Sequence, residues 1–295
     1  MESETLQPDD SLSADSQSNL GLMISNCGVD FAVYPSSTPK HIACVQLALR
    51  AMPLISIAAL LFSSQLLATS IVAVRTRSAI FIGSDSKLID GEGKAVGSTC
   101  KVMTHHGAAF AVARIWSSPA QDFSVTSVAA EALSSSRDLA TGVRLFERLL
   151  IEPLERLLRA LKTTDPQRFE RELTGHSAVD AVFVGFEGRD PALFVTKFVV
   201  NRGTSQSIKL RVQREECARH CTEPLAFVTL GQHSAIDKAL SDDPDFWNIG
   251  FDEGIRRLIN LETLSVPTLV GPPISILSMD KSGAHWIEPG ECEDR

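Results

Sequence analysis

The chain has no basic surplus. Lys and Arg number 28 against 36 Asp and Glu, a formal net charge of −8 with a pI near 5.4. A phosphate backbone is held chiefly by Lys and Arg, and no local basic patch offsets the deficit, so no nucleic-acid partner is expected. Cysteine is sparse as well. Six in 295 residues are too few for a disulfide-built scaffold, and no spacing reproduces a paired CxxC zinc module. The longest apolar run, 53–62, falls well short of the roughly 20 residues a membrane-crossing helix needs, unless the segment from Ile42 is recruited with Arg50 inside it. With 44% hydrophobic residues the chain is nevertheless rich enough to bury a core, as one large domain or two small ones.

What is present begins with a Ser-, Asp- and Gln-rich stretch, 1–39, whose low apolar content cannot offset the entropy of ordering and reads as disordered. Over 40–68 come Lys40, His41 and Arg50, then the apolar run, then Ser63-Ser64-Gln65-Leu66-Leu67-Ala68. Charged, apolar and small-residue parts in that order match a secretory signal cleaved after Ala68. Leu66 is larger than such a site prefers, and the stretch ahead of the apolar run is long. A start at Met23 would shorten it. A buried N-terminal helix or an uncleaved anchor is the alternative.

From Thr69 the pattern changes. The runs 71–74 and 79–82 are apolar and partly β-branched, which predicts two strands joined through Arg75-Thr76-Arg77-Ser78, and 101–103 and 108–113 continue the sheet across Gly107. A helix is predicted from near Phe123. A second covers 139–161, where Val143, Phe146, Leu150, Leu154, Leu157 and Leu161 keep a helical period and Pro153 predicts a kink or break. Asp165-Pro166 starts a short third helix that ends by Gly175. The second half repeats the order, with strands at 178–186, 192–200, 208–212 and 225–230, helices at 234–240 and 251–264, and a closing hairpin of 274–279 and 285–288. That succession predicts a layered α+β fold.

One constellation carries chemistry. Thr69 follows the cleavage point, Asp85 lies sixteen positions on, and Lys101 lies sixteen beyond that. Each sits at a predicted strand end, so the three can meet at one rim of a sheet. The segments Thr69-Ser70-Ile71-Val72-Ala73-Val74, Ile80-Phe81-Ile82-Gly83-Ser84-Asp85-Ser86-Lys87 and Cys100-Lys101-Val102 resemble the proteasome β-subunit family of N-terminal nucleophile hydrolases. A weaker echo comes from Leu230-Gly231-Gln232-His233-Ser234 and from Val270-Gly271-Pro272-Pro273. The resemblance spans most of 69–295 by element order and is specific within about 69–115. It implies a four-layer αββα sandwich over 69–295, with Thr69 as an N-terminal nucleophile and Asp85 and Lys101 in support. Assembly with further copies of itself rests on that analogy alone.

The physical chemistry of these residue types fits those roles. A threonine hydroxyl needs a base, and a free α-amine, with a reference pKa of about 7.7–8.0, can serve near neutral pH. That amine exists only after cleavage at Ala68. A charged Lys101 would lower the amine's pKa and stabilise negative charge on Oγ1, while Asp85 would hold Lys101 by a charge-assisted hydrogen bond. Backbone N–H groups near Ala113-Arg114-Ile115 are the implied oxyanion donors. Arg114 stands where the family has glycine, so its side chain is expected to crowd the pocket or bind an acidic group. Where active members carry a second acid and a serine, this chain offers Ser265 and Thr268, which receive no role. Ala68 replaces the glycine that precedes the threonine in self-processing members, which points to the export machinery.

The function expected is hydrolysis of an amide or peptide bond in an exported protein, periplasmic or extracellular, or cytoplasmic or membrane-anchored if the signal is retained. A short peptide or small amide is the expected substrate, with no cofactor, no metal and no membrane contact after cleavage. His105-His106, lacking further ligands at fixed spacing, reads as a solvated loop pair. Cys217 and Cys221 are spaced for a local disulfide or are free buried thiols, and Cys292 is expected in a mobile tail. The alternative is a non-catalytic, proteasome-like binding or assembly module.

Overall fold

The computed structural model describes residues 65–67, 69–90, 93–201, 208–217 and 223–292, all within one compact unit, 51–295. The expected disordered extension, 1–39, and the expected signal, 40–68, lie outside the described residues except for 65–67.

The chain opens with strands β1 (Gln65–Leu67), β2 (Ser70–Thr76) and β3 (Ile80–Asp85), then β4 (Lys87–Ile89), β5 (Ala95–Ser98), β6 (Val102–His105), β7 (Ala108–Ser118) and β8 (Phe123–Ser124). Helices α1 (Val125–Ser134), α2 (Leu139–Thr164) and α3 (Pro166–Glu172) follow. Strands β9 (Ser177–Glu187), β10 (Asp190–Val200), β11 (Leu210–Cys217) and β12 (Leu225–Gly231) come next, then α4 (Ser234–Asp242), α5 (Phe251–Ser265), β13 (Ile274–Asp280) and β14 (Gly283–Glu288). The first three helices start where the sequence supplies a side-chain cap. Ser124 accepts from the Ser127 N–H, Asp138 from Thr141 and Asp165 from Arg168, each satisfying an orphan donor of the first turn.

The strands form three sheets with antiparallel pairing. The seven-stranded sheet runs β1-β7-β9-β10-β11 with β6 and β8 also on β7, the five-stranded sheet runs β12-β2-β3-β13-β14, and β4 and β5 pair by themselves. The expected four-layer αββα sandwich is thereby corrected. Among the described residues strand exceeds helix, and the strands lie in three antiparallel sheets rather than in two sheets evenly clad in helices. Periodicity reports which segments are strands, but pairing is decided by contacts far apart in sequence, and the separate β4–β5 hairpin left no periodic signal because β5 is exposed throughout.

The helix does not break at Pro153, since α2 runs as one element from Leu139 to Thr164. Proline lacks one backbone donor, but Phe146, Leu150, Leu154, Leu157 and Leu158 are buried on both sides of it. Each contributes about 1.5–3 kcal/mol by burial, enough to outweigh the roughly 3 kcal/mol a mid-helix proline costs.

Three apolar clusters make the core. One lies under α1 and α2, with Phe110, Phe146, Phe183, Phe194 and Phe198 at its centre. Another draws Ile71, Ile80, Ile82 and Leu277 from the five-stranded sheet and Ala111, Ala113, Val182 and Val195 from the seven-stranded one. The last joins Val72, Val74 and Ile276 to Ile255, Leu258 and Ile259 of α5. The one carboxylate on the buried stripe of α2, Glu147, is matched there by Thr196 Oγ1 at 2.9 Å and by the Arg214 guanidinium.

Candidate active site

Thr69 occupies the crossover between the two large sheets. Just before it, β1 pairs with β7; just after it, β2 pairs with β3 and β12. The residue is fully buried, and its Oγ1 finds no hydrogen-bond partner among the described residues. Its carbonyl accepts from the Gln232 N–H at 2.7 Å.

Asp85 ends β3 and gathers four donors. Its Oδ1 accepts from the Ser70 N–H at 2.9 Å and from Lys101 Nζ at 2.9 Å, and its Oδ2 accepts from the backbone N–H groups of Lys87 at 3.1 Å and Gly271 at 3.2 Å. The amide that follows Thr69 thus shares one carboxylate oxygen with Lys101. Both side chains of the ion pair are at 0% exposure. Burial pushes the Asp85 carboxyl above its ordinary range, opposed by the Lys101 charge and the hydrogen bonds. Burial likewise pulls the Lys101 ammonium below its ordinary value, opposed by Asp85.

The hydroxyls of Ser70, Ser84 and Ser86 are also buried without partners among the described residues. Buried polar atoms are nearly always bonded, and the hydroxyls of Thr69, Ser70, Ser84 and Ser86 all lie on residues that are or directly flank Thr69 and Asp85.

Gly231 closes the other side. Its φ is +79°, and a Cβ there would stand 1.8 Å from the Thr69 carbonyl oxygen, a contact with backbone that no rotamer change relieves. The turn beyond it is held by Glu262, whose Oε2 accepts the N–H groups of Ala235 and Ile236 at the start of α4. Gly231→Ala is expected to lower stability by at least about 2 kcal/mol, from the left-handed backbone and the displaced Thr69 together, as read by denaturant unfolding.

Arg114 has φ +74°, the left-handed region in which a non-glycine residue is strained. It stands opposite Leu67 of β1 on one side and Val179 of β9 on the other. Its Nε donates to Asp180 Oδ2 at 2.8 Å. The acidic group it was expected to meet is therefore one of this chain's own residues.

Asp180 escaped the reading of the sequence. The signal was an acid inside the apolar run of β9, in Ala178-Val179-Asp180-Ala181-Val182. Cys292 needs correction. It is buried, not in a mobile tail, and it forms a disulfide with Cys100, directly before Lys101. Cys217 is disulfide-bonded too, so it is not a free thiol. His105 and His106 stack edge to face at 4.4 Å, and His105 bonds Ser134. Among the described residues no group of three or more His, Cys, Asp or Glu is placed to hold a metal, and no helix is long and apolar enough to cross a membrane.

No family model matches the chain, and no curated protein matches it. Among solved structures a distant likeness is found to the Anbu (Gly-1) mutant from Hyphomicrobium sp. strain MC1, with 15% identity, 77% of this chain and 88% of that chain covered, and a TM-score of 0.45. At that level the chemistry has to be argued from the residues of this chain.

Proposed function

We propose that this protein is a threonine-type N-terminal nucleophile hydrolase that cleaves an amide or peptide bond once residues 1–68 have been removed. The observation that carries the reading is the fully buried Lys101–Asp85 pair bonded to the amide next to Thr69, beside a buried Oγ1 that has no other use. With Thr69 N-terminal, its amine takes the proton from Oγ1 as the oxygen attacks the substrate carbonyl carbon. The proton passes to the departing amine, an ester to Oγ1 remains, and water hydrolyses it. Lys101 supplies positive charge to the developing alkoxide, and Asp85 holds Lys101 in place.

Two disulfide-bonded sites among the described residues favour an oxidising compartment, in keeping with export of the cleaved chain. The rival reading, a non-catalytic binding or assembly module, is favoured by Arg114 at the implied oxyanion position and by the lack of a second acid beside Ser265 and Thr268. Two measurements separate them. The N-terminal sequence of the protein recovered from its native host is expected to begin at Thr69, and a β-lactone or epoxyketone probe is expected to label that form. A native chain that keeps residues before Thr69, or a correctly cleaved chain that takes no label, sinks the proposal.

A further inference from the structure

Asp180 is a carboxylate with one oxygen in use. It is 4% exposed, between Val179 and Ala181, which are both fully buried. Such burial is costly unless every oxygen is bonded. Oδ2 accepts from Arg114 Nε at 2.8 Å, but Oδ1 is buried with no partner among the described residues. A pair kept only for stability gains nothing from that arrangement, whereas a site that reads a donor on a ligand requires it.

The pair is also placed for that role. Asp180 stands opposite Ala113 in register, and opposite residues of antiparallel strands share a face. Ala113 Cβ lies 3.4 Å from where a Cβ on Gly231 would be, and Gly231 backs directly onto Thr69. Strand alternation would send Arg114 to the face of Val112 and Phe110, into the apolar core under the helices. The left-handed φ breaks that alternation and lets the guanidinium reach Asp180, with the Arg114 side chain 40% exposed. On the other side of Arg114 lies β1, in register at Leu67, within the segment whose removal is proposed above.

We infer that Arg114 and Asp180 form a specificity subsite that recognises a neutral carboxamide side chain, of glutamine type, on the substrate residue taking the place of Leu67, two positions before Thr69. The inference rests on the proposed Thr69 chemistry for the orientation of the substrate. Charge decides the class of group. A cation is repelled by Arg114 and an anion by Asp180, while a carboxamide donates an N–H to Oδ1 and accepts from the guanidinium nitrogens that Asp180 leaves.

The test uses four peptides that differ only at that residue: glutamine, leucine, glutamate or lysine. Binding is read by fluorescence anisotropy on cleaved Thr69→Ala protein made from the full chain, where no hydrolysis intervenes. Glutamine is expected to bind about tenfold more tightly than leucine, because leucine leaves Oδ1 unpaired, and more tightly than either charged residue. Asp180→Ala frees Arg114 and is expected to move glutamate to first place, and Arg114→Met is expected to move lysine there. Thermal melts accompany both variants, and either inversion in a folded protein supports the subsite. A wild-type order not led by glutamine, an order unchanged in a folded variant, or binding of none of the four overturns it. Labelling of Thr69 is scored separately on the wild type, so catalysis and recognition fail or stand independently.

Discussion

Thr69→Val is expected to abolish amide hydrolysis, by on the order of 10⁴-fold or more in kcat, while leaving stability unchanged or higher. The two readouts move in opposite directions for one reason. The Oγ1 of Thr69 is buried and has no hydrogen-bond partner among the described residues, so for folding alone it is a cost of about 1–3 kcal/mol. Valine keeps the shape and removes that cost together with the nucleophile. A threonine kept for structure would behave otherwise, losing stability with its hydroxyl. Turnover of a peptide amide and thermal denaturation measure the two effects, and a variant that still hydrolyses, or one that unfolds more readily, contradicts the assignment. Thr69→Ser keeps a hydroxyl and is expected to retain measurable activity.

Cys292→Ser is expected to destabilise the folded protein by about 5 kcal/mol, equivalent to a fall of roughly 10–20 °C in melting temperature. The Cys100–Cys292 bridge closes a loop with a sequence separation of 192, which removes much of the freedom of the unfolded chain. Its position adds a local effect. Cys100 directly precedes Lys101, and the turn of Cys292 is tied back to β13 through Ser275 Oγ, which donates to the Pro289 carbonyl. β13 in turn pairs with β3, with Ile274 opposite Asp85. The bridge therefore joins the chain segments on either side of the ion pair. Activity lost at temperatures where the variant remains folded would report this local loosening. An unfolding free energy within about 1 kcal/mol of the wild type would show that the bridge has neither role.

Thr69, Asp85 and Lys101 could be named as candidates because their spacing and flanking segments resemble those of a known family, and such a pattern of types and intervals is carried by sequence directly. Strand and helix positions were legible for the same reason, since apolar residues recur with the period of the element they bury. The proline in α2 misled because local geometry argued for a break, while the long-range burial of Leu150, Leu154 and Leu157 held the helix together. Asp180 was passed over and Cys292 was placed in a mobile tail because each is ordinary by itself. Asp180 matters through a residue 66 positions away, and Cys292 through one 192 positions away.

The amino-acid sequence by itself determined most of the strands and helices, their order along the chain and the three residues on which the proposed chemistry depends. Only the tertiary structure decided that the strands divide into three antiparallel sheets, that Asp85 binds Lys101 and the amide after Thr69 through one oxygen, and that Arg114 turns out of its strand toward Asp180. The division follows from range. Periodicity and caps act within a few residues, whereas pairing, burial of charge and disulfide closure join residues that the chain keeps far apart.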